Sequence, residues 1–163
     1  MKTKLFAALV LTLVMVIPAF AAYDMYLAIA GVAGSLSDTA HKGWIPVTGI
    51  VDNSLKSGVT VGLVITKPAD ANSATLYKDC MTGRHHPSAF LDICKDGVLI
   101  NRLGLQDITV SQLKPQFSKS DTAPQEELTF NFSEITWEFY TTDAGGKTVT
   151  TRTGWNNVAK KSI

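Results

Sequence analysis
Two cysteines and three histidines are all that this chain holds of the side chains that most often bind metals or run redox chemistry. No C-x-x-C or C-x-x-C-H pair occurs, which excludes a thioredoxin-like centre and a c-type haem attachment. His41, His85 and His86 lack the spacing of H-E-x-x-H, and a catalytic zinc requires three protein ligands. His85 and His86, adjacent on an extended segment, point to opposite faces, so one is expected to pack and the other to be solvated. There is no G-x-S-x-G elbow, phosphate-binding loop or dinucleotide fingerprint. The carboxylates are scattered: Glu126 and Glu127 are expected to border a loop, Glu134 and Glu138 the wet side of a strand, so no acid/base pair assembles. The reading is a protein with no catalytic residues, no metal and no cofactor.

Charge of one sign is also missing. Fifteen basic residues meet 14 acidic ones, and no basic block gives electrostatic support for nucleic-acid binding. One long apolar run exists, at the N-terminus, and no second run reaches membrane length.

That run reads as an export signal. Lys2 and Lys4 form a positive n-region, Leu5 to Ile17 an apolar h-region, and Ala19-Phe20-Ala21 an A-x-A site after Pro18. Cleavage between Ala21 and Ala22 is expected, leaving residues 22–163 as a single domain with no stable membrane insertion. The alternative is an uncleaved anchor, because Leu5 to Ala22 is an uncharged run near the lower limit for spanning a bilayer. Export places Cys80 and Cys94 where a disulfide could persist, against the alternative of two separately buried thiols.

Beyond the leader the pattern has period two, in short runs bounded by Gly, Asp, Asn and Pro, as in a β-sandwich or barrel. Met25, Leu27 and Ile29 mark a first strand; Ile45, Val47 and Val51 a second; Val59, Val61, Leu63 and Ile65 a third. Ala89, Leu91 and Ile93 meet Leu99 and Leu103 across Lys95-Asp96-Gly97, and Asp-Gly suits a tight hairpin. A further strand falls within Gln106 to Leu113, and residues 114–126 read as a loop. The longest strand is predicted over Leu128 to Thr141, with a bulge at Ser133-Glu134 where the alternation changes phase. A last strand follows over Thr148 to Trp155. One helix follows Pro68, with Asp70 as N-cap, a stripe of Leu76, Tyr77, Cys80 and Met81, and Gly83 at the left-handed C′ position; it is expected to plug one end of the barrel.

Several segments then carry a family likeness. Tyr23-Asp24-Met25-Tyr26-Leu27-Ala28-Ile29, followed by Val32, Gly34, Asp38, His41, Ile45 and Val47, resembles the opening of the haemolysin-coregulated proteins (Hcp), which form the tube of type VI secretion systems. Gly83-Arg84-His85-His86-Pro87 resembles that family's G-K-H-Y-P turn, with His86 where a Tyr is usual. Glu127-Leu128-Thr129-Phe130-Asn131-Phe132 is similar to its N-V-T-L-N-F strand, and Gly154-Trp155-Asn156 to its closing G-W-N. The likeness spans nearly all of residues 23–157, in order.

The resemblance implies a mainly β fold, an antiparallel β-barrel of the Hcp type with one short α-helix. It also implies a non-enzymatic homo-hexamer whose rings can stack into a tube and shelter small secreted effector proteins in the channel. The family's long extension toward the next ring corresponds here to residues 49–58, so Asp52, Asn53, Ser54, Leu55 and Lys56 form the candidate ring-stacking loop. Trp44, beside Gly43, is the candidate interface residue. The leader adds a periplasmic or secreted destination. The rival reading is a monomeric periplasmic or secreted β-barrel module that binds a protein or carbohydrate, for which Trp44, Trp137 and Trp155 are the natural surface.

Overall fold
The structure, a computed structural model, describes residues 23–52, 62–117 and 123–163. The cleavage site at Ala21 and Ala22, the loop residues Asn53 to Lys56, and Val59 and Val61 lie outside the described residues.

The chain folds mainly as an antiparallel β-barrel with one short helix. In order come β1 (Tyr23–Ile29), β2 (Ile45–Val47), β3 (Gly49–Asp52), β4 (Leu63–Pro68), α1 (Ser73–Thr82), β5 (His85–Lys95), β6 (Val98–Gln116), β7 (Gln125–Asn131), β8 (Glu134–Thr142), β9 (Thr148–Asn156) and β10 (Lys161–Ser162). Alternation decides the inward face. In β4, Leu63, Ile65 and Lys67 are buried while Val64, Thr66 and Pro68 are half-buried.

The barrel closes because two segments each serve two neighbours. β5 pairs with β1 and β1 with β2; the chain then bends at Thr48 into β3, which pairs with β4. Thr48 N donates to Thr66 O at 2.8 Å, so the corner itself is tied to β4. β4 pairs with β7, β7 with the far half of β6, and β6 with β5.

β6 is the spine. It bends at Asp107, a non-glycine residue held at φ 48, a region that Asp enters more readily than most residues. Thr109–Gln116 take β7 and Asn101–Gln106 take β8 on the same edge. The strand predicted over Leu128 to Thr141 is therefore two strands laid in succession along β6. They break at Phe132-Ser133, where Ser133 N donates to Gln106 O. The segment expected as a loop over residues 114–126 is strand at both ends, with Lys114 opposite Glu127 and Gln116 opposite Gln125. The β5–β6 hairpin turns through Asp96 (φ 51) and Gly97 (φ 75), the pair of positive angles a two-residue turn needs.

The helix corrects two expectations. Asn72, not Asp70, is the N-cap, because Asp70 forms a turn one step earlier, accepting from Asn72 N and Asn72 Nδ2. Met81 is 87% exposed and Asp79 takes the buried position. Gly83 does end the helix in the left-handed conformation, φ 64. Leu76 and Cys80 pack on a core that includes Leu27, Ile45, Leu63, Leu91, Leu105 and Phe130.

Candidate assembly surface
β8 and β9 outrun the barrel. Their ladder has nine register pairs, from Glu134↔Asn156 to Thr142↔Thr148, whereas β6 accompanies β8 only as far as Asn101↔Phe139. Along one face of β8 the side chains emerge stepwise: Ile135 is buried, Trp137 half-buried and Phe139 44% exposed. Val149, diagonal to Phe139 across the ladder, is 42% exposed. The stripe is the core's own inner face continued into solvent. Asn101 Oδ1, opposite Phe139, is buried without a hydrogen-bond partner.

The hairpin is stiff despite its exposure. Asp143 Oδ1 accepts from Gly145 N and Lys147 N, both at 2.9 Å, and Asp143 N donates to Lys147 O. The outer edge of β9 is paired with β10 only at Trp155 and Asn156. Residues 148–153 there are exposed, Thr-rich, proline-free and without a bulge, so Arg152 alone among them is a device that protects a sheet edge.

The other face of the sheet is polar and its charges are matched. Phe90, Arg102, Gly104, Glu134, Glu138 and Arg152 line a cleft of about 620 Å³. Arg102 grips the buried Asp92 through two bonds, Nε at 2.6 Å and Nη2 at 2.7 Å. That bond to Asp92, more than any other contact, holds the guanidinium above its ordinary titration range. Tyr140 donates to Glu138 at 2.6 Å, which raises the phenol's pKa, with burial adding. Every acid here has a partner, which is the geometry of a stable wall rather than of a proton-transfer pair.

His41 reaches the same network from the loop between β1 and β2, its Nε2 3.2 Å from Asp92 Oδ2. Its ring stacks on Tyr26 at 4.0 Å and meets Trp44 edge-on at 4.9 Å. Trp44 is thus half-buried and packed within its own loop. Cys80 and Cys94 are free thiols rather than a disulfide. Cys80 packs on the core from α1, while Cys94 stands on the far side of β5, on the face of Asp92 and Asp24, so the sheet separates them. The adjacent histidines split as expected: His86 is buried and His85 is exposed, 2.7 Å from Asp107 Oδ1.

Sequence reasoning missed two buried ionic centres, Asp92–Arg102 and Lys67–Glu126. A signal existed for the first, since Asp92 interrupts the apolar run Phe90 to Ile93. Glu126 was expected to border a loop, and instead it is buried in β7 against Lys67. Among the described residues no group of three or more His, Cys, Asp or Glu could hold a metal.

Comparison with known proteins agrees with this architecture. Residues 26–139 match the protein-family model described as "Type VI secretion system effector, Hcp". The chain is similar to Hcp1 from Salmonella typhimurium, at 28% identity and a TM-score of 0.76, over 88% of this chain and 100% of that one. It is similar to Hcp2 from the same organism, at 25% identity and a TM-score of 0.72, over 85% and 98%. A third solved structure, described as a type six secretion system protein, matches at 26% identity and a TM-score of 0.76, over 87% and 100%. No curated protein matches the chain.

Proposed function
Because the chain belongs to the Hcp family of type VI secretion system effectors, we propose that it is a structural protein that self-assembles into hexameric rings and, by stacking, tubes. It has no catalytic role; its work is to present a ring and a channel. The observation that carries the reading is the stripe Trp137, Phe139 and Val149 on a hairpin that leaves the barrel. A lone protomer keeps that apolar face and the open β9 edge wet, and a head-to-tail neighbour covers both.

Several finer parts belong to the same proposal. Residues 22–163 act as the mature unit after cleavage at Ala21-Ala22, and the product is periplasmic or secreted. Asp52 to Lys56 reach toward the next ring, Trp44 borders a neighbouring subunit, and the channel shelters small secreted effectors. Phe139→Asp with Val149→Asp tests the central point. Both sites are exposed, so the barrel should melt within about 0.5 kcal/mol of the parent, while size-exclusion mass falls from ring to monomer. An unchanged ring would refute the assigned surface. Intact mass of the native protein starting at Ala22 supports export, and an intact Met1 refutes it.

A further inference from the structure
The edge of β9 is closed at one end by a strand only two residues long, β10. Lys161 pairs with Asn156 and Ser162 with Trp155, and Ile163 N donates to Gly154 O at 3.2 Å. From Gly154 to Asn156 the edge is covered, and over residues 148–153 it is open. Gly154 is the one glycine of β9. A Cβ there would lie 2.7 Å from Ile163 Cγ1 and 2.9 Å from the Ile135 carbonyl oxygen, so the absent side chain is what gives Ile163 its seat.

The turn that leads into β10 is fixed to the barrel. Asn157 N donates to Ser133 O at 2.7 Å, Asn157 Nδ2 to Phe132 O at 2.9 Å, and Ala159 N to Asn156 Oδ1 at 2.6 Å. Lys160, held at φ 54, then sends the chain back along β9. A non-glycine residue persists in that left-handed region only where its surroundings impose it. The short strand is thus anchored at both ends, by its turn and by the seat of Ile163.

We propose that β10 is a register stop: it blocks the β9 edge at Gly154, so that a second copy adding to this edge must end at Thr153. The stop presupposes the self-assembly proposed above and sets where the neighbour lies. The open edge does not set it alone, because four of its six residues are Thr and the others are Val149 and Arg152. Burying Phe139 and Val149 decides which face turns to the neighbour, since a one-residue slip exchanges the faces. A two-residue slip keeps the face, and in a run so rich in Thr it costs little. Register matters because a head-to-tail contact closes into a ring at one rotation, whereas a slipped contact leaves an open filament. An unblocked edge is moreover a template for further strand pairing.

Lys161→Pro with Ile163→Pro tests the stop in the otherwise native protein. Residues 161 and 163 alternate with Ser162, so both turn their N–H groups to β9, and proline has none. β10 is exposed, so the melting temperature should stay near that of the parent. By sedimentation velocity the parent should show one ring mass. In the variant the share of material heavier than the ring should rise roughly tenfold, with filaments in electron micrographs. Ile163→Val, which keeps the seat over Gly154, should behave as the parent. If the proline variant does not fold, Ile163→Asp unseats the stop at a half-exposed position and should give the same rise. A variant with the parent's single ring mass overturns the stop and leaves the assembly reading standing. A folded variant found only as protomer places β10 inside the interface and likewise contradicts the stop. A parent found only as protomer overturns the assembly reading, and the stop with it.

Discussion

Lys67 Nζ lies 3.0 Å from Glu126 Oε2, and both side chains are buried. The ammonium also meets Asp70 Oδ1 at 3.0 Å and the Pro68 carbonyl at 2.7 Å, while Ser73 Oγ donates to the same Glu126 oxygen at 2.8 Å. One cation thereby joins β4, β7 and the start of α1. Removing Lys67 leaves Glu126 buried without a cation and takes the same partner from Asp70. Lys67→Met should therefore cost about 3–5 kcal/mol in chemical denaturation, and adding Glu126→Leu should recover most of that loss. A single variant as stable as the parent would remove this centre from the account.

Gly34 is a contact rather than a hinge. A Cβ there would lie 2.1 Å from the backbone C and O of Trp44, and neither atom can retreat without breaking the Leu36 N to Trp44 O bond. Gly34→Ala should lower stability by about 1–3 kcal/mol, read as a fall in Tm. It should also disturb the stacking of His41 on Tyr26, which near-ultraviolet circular dichroism reports.

The thiols should separate chemically. Burial pushes the Cys94 thiol up, with Asp92 and Asp24 adding and Arg102 opposing. Alkylation at about pH 8 should label Cys80 first and Cys94 at least roughly tenfold more slowly, since thiolate is the reactive form. The native state keeps the Cys94 proton past the pH of about 8.5 at which an unfolded thiol ionises. Its contribution is present below that pH and is lost as the pH climbs through the native value. Equal labelling of both cysteines in the folded protein would contradict the placement of Cys94.

The hairpin tip offers a way to weaken assembly without weakening the barrel. Asp143→Ala removes the acceptor for Gly145 N and Lys147 N. About 1 kcal/mol of local order should go with it, raising the concentration at which oligomers form while leaving Tm nearly unchanged. An equal loss in both would mean that the tip is part of the barrel's own fold.

The regular parts of this barrel were legible in the sequence because one face of each strand is buried, and period two then fixes strand and register together. Leu63 and Ile65, or Ala89, Leu91 and Ile93, follow that logic, and Asp96-Gly97 marks its own turn. What failed was whatever depends on a partner distant in sequence. Glu126 reads as a residue bordering a loop, and nothing in the sequence marks Lys67 as its partner, until β4 and β7 are laid side by side. Ser133-Glu134 reads as a bulge because the pattern changes phase there, yet only the bend of β6 at Asp107 makes Phe132-Ser133 a break between strands. In α1, Met81 has the apolarity of a core residue, but the inward position goes to Asp79, which His86 receives. For the assembly surface the sequence offered Trp44, an aromatic beside a turn, whereas Phe139 and Val149 passed as ordinary strand residues. Their exposure follows from β6 ending its pairing at Asn101.

Sedimentation velocity on the purified native protein tests the self-assembly claim most directly. A dominant species at about six times the protomer mass is the predicted result, and a species at the protomer mass across the accessible concentrations would contradict it.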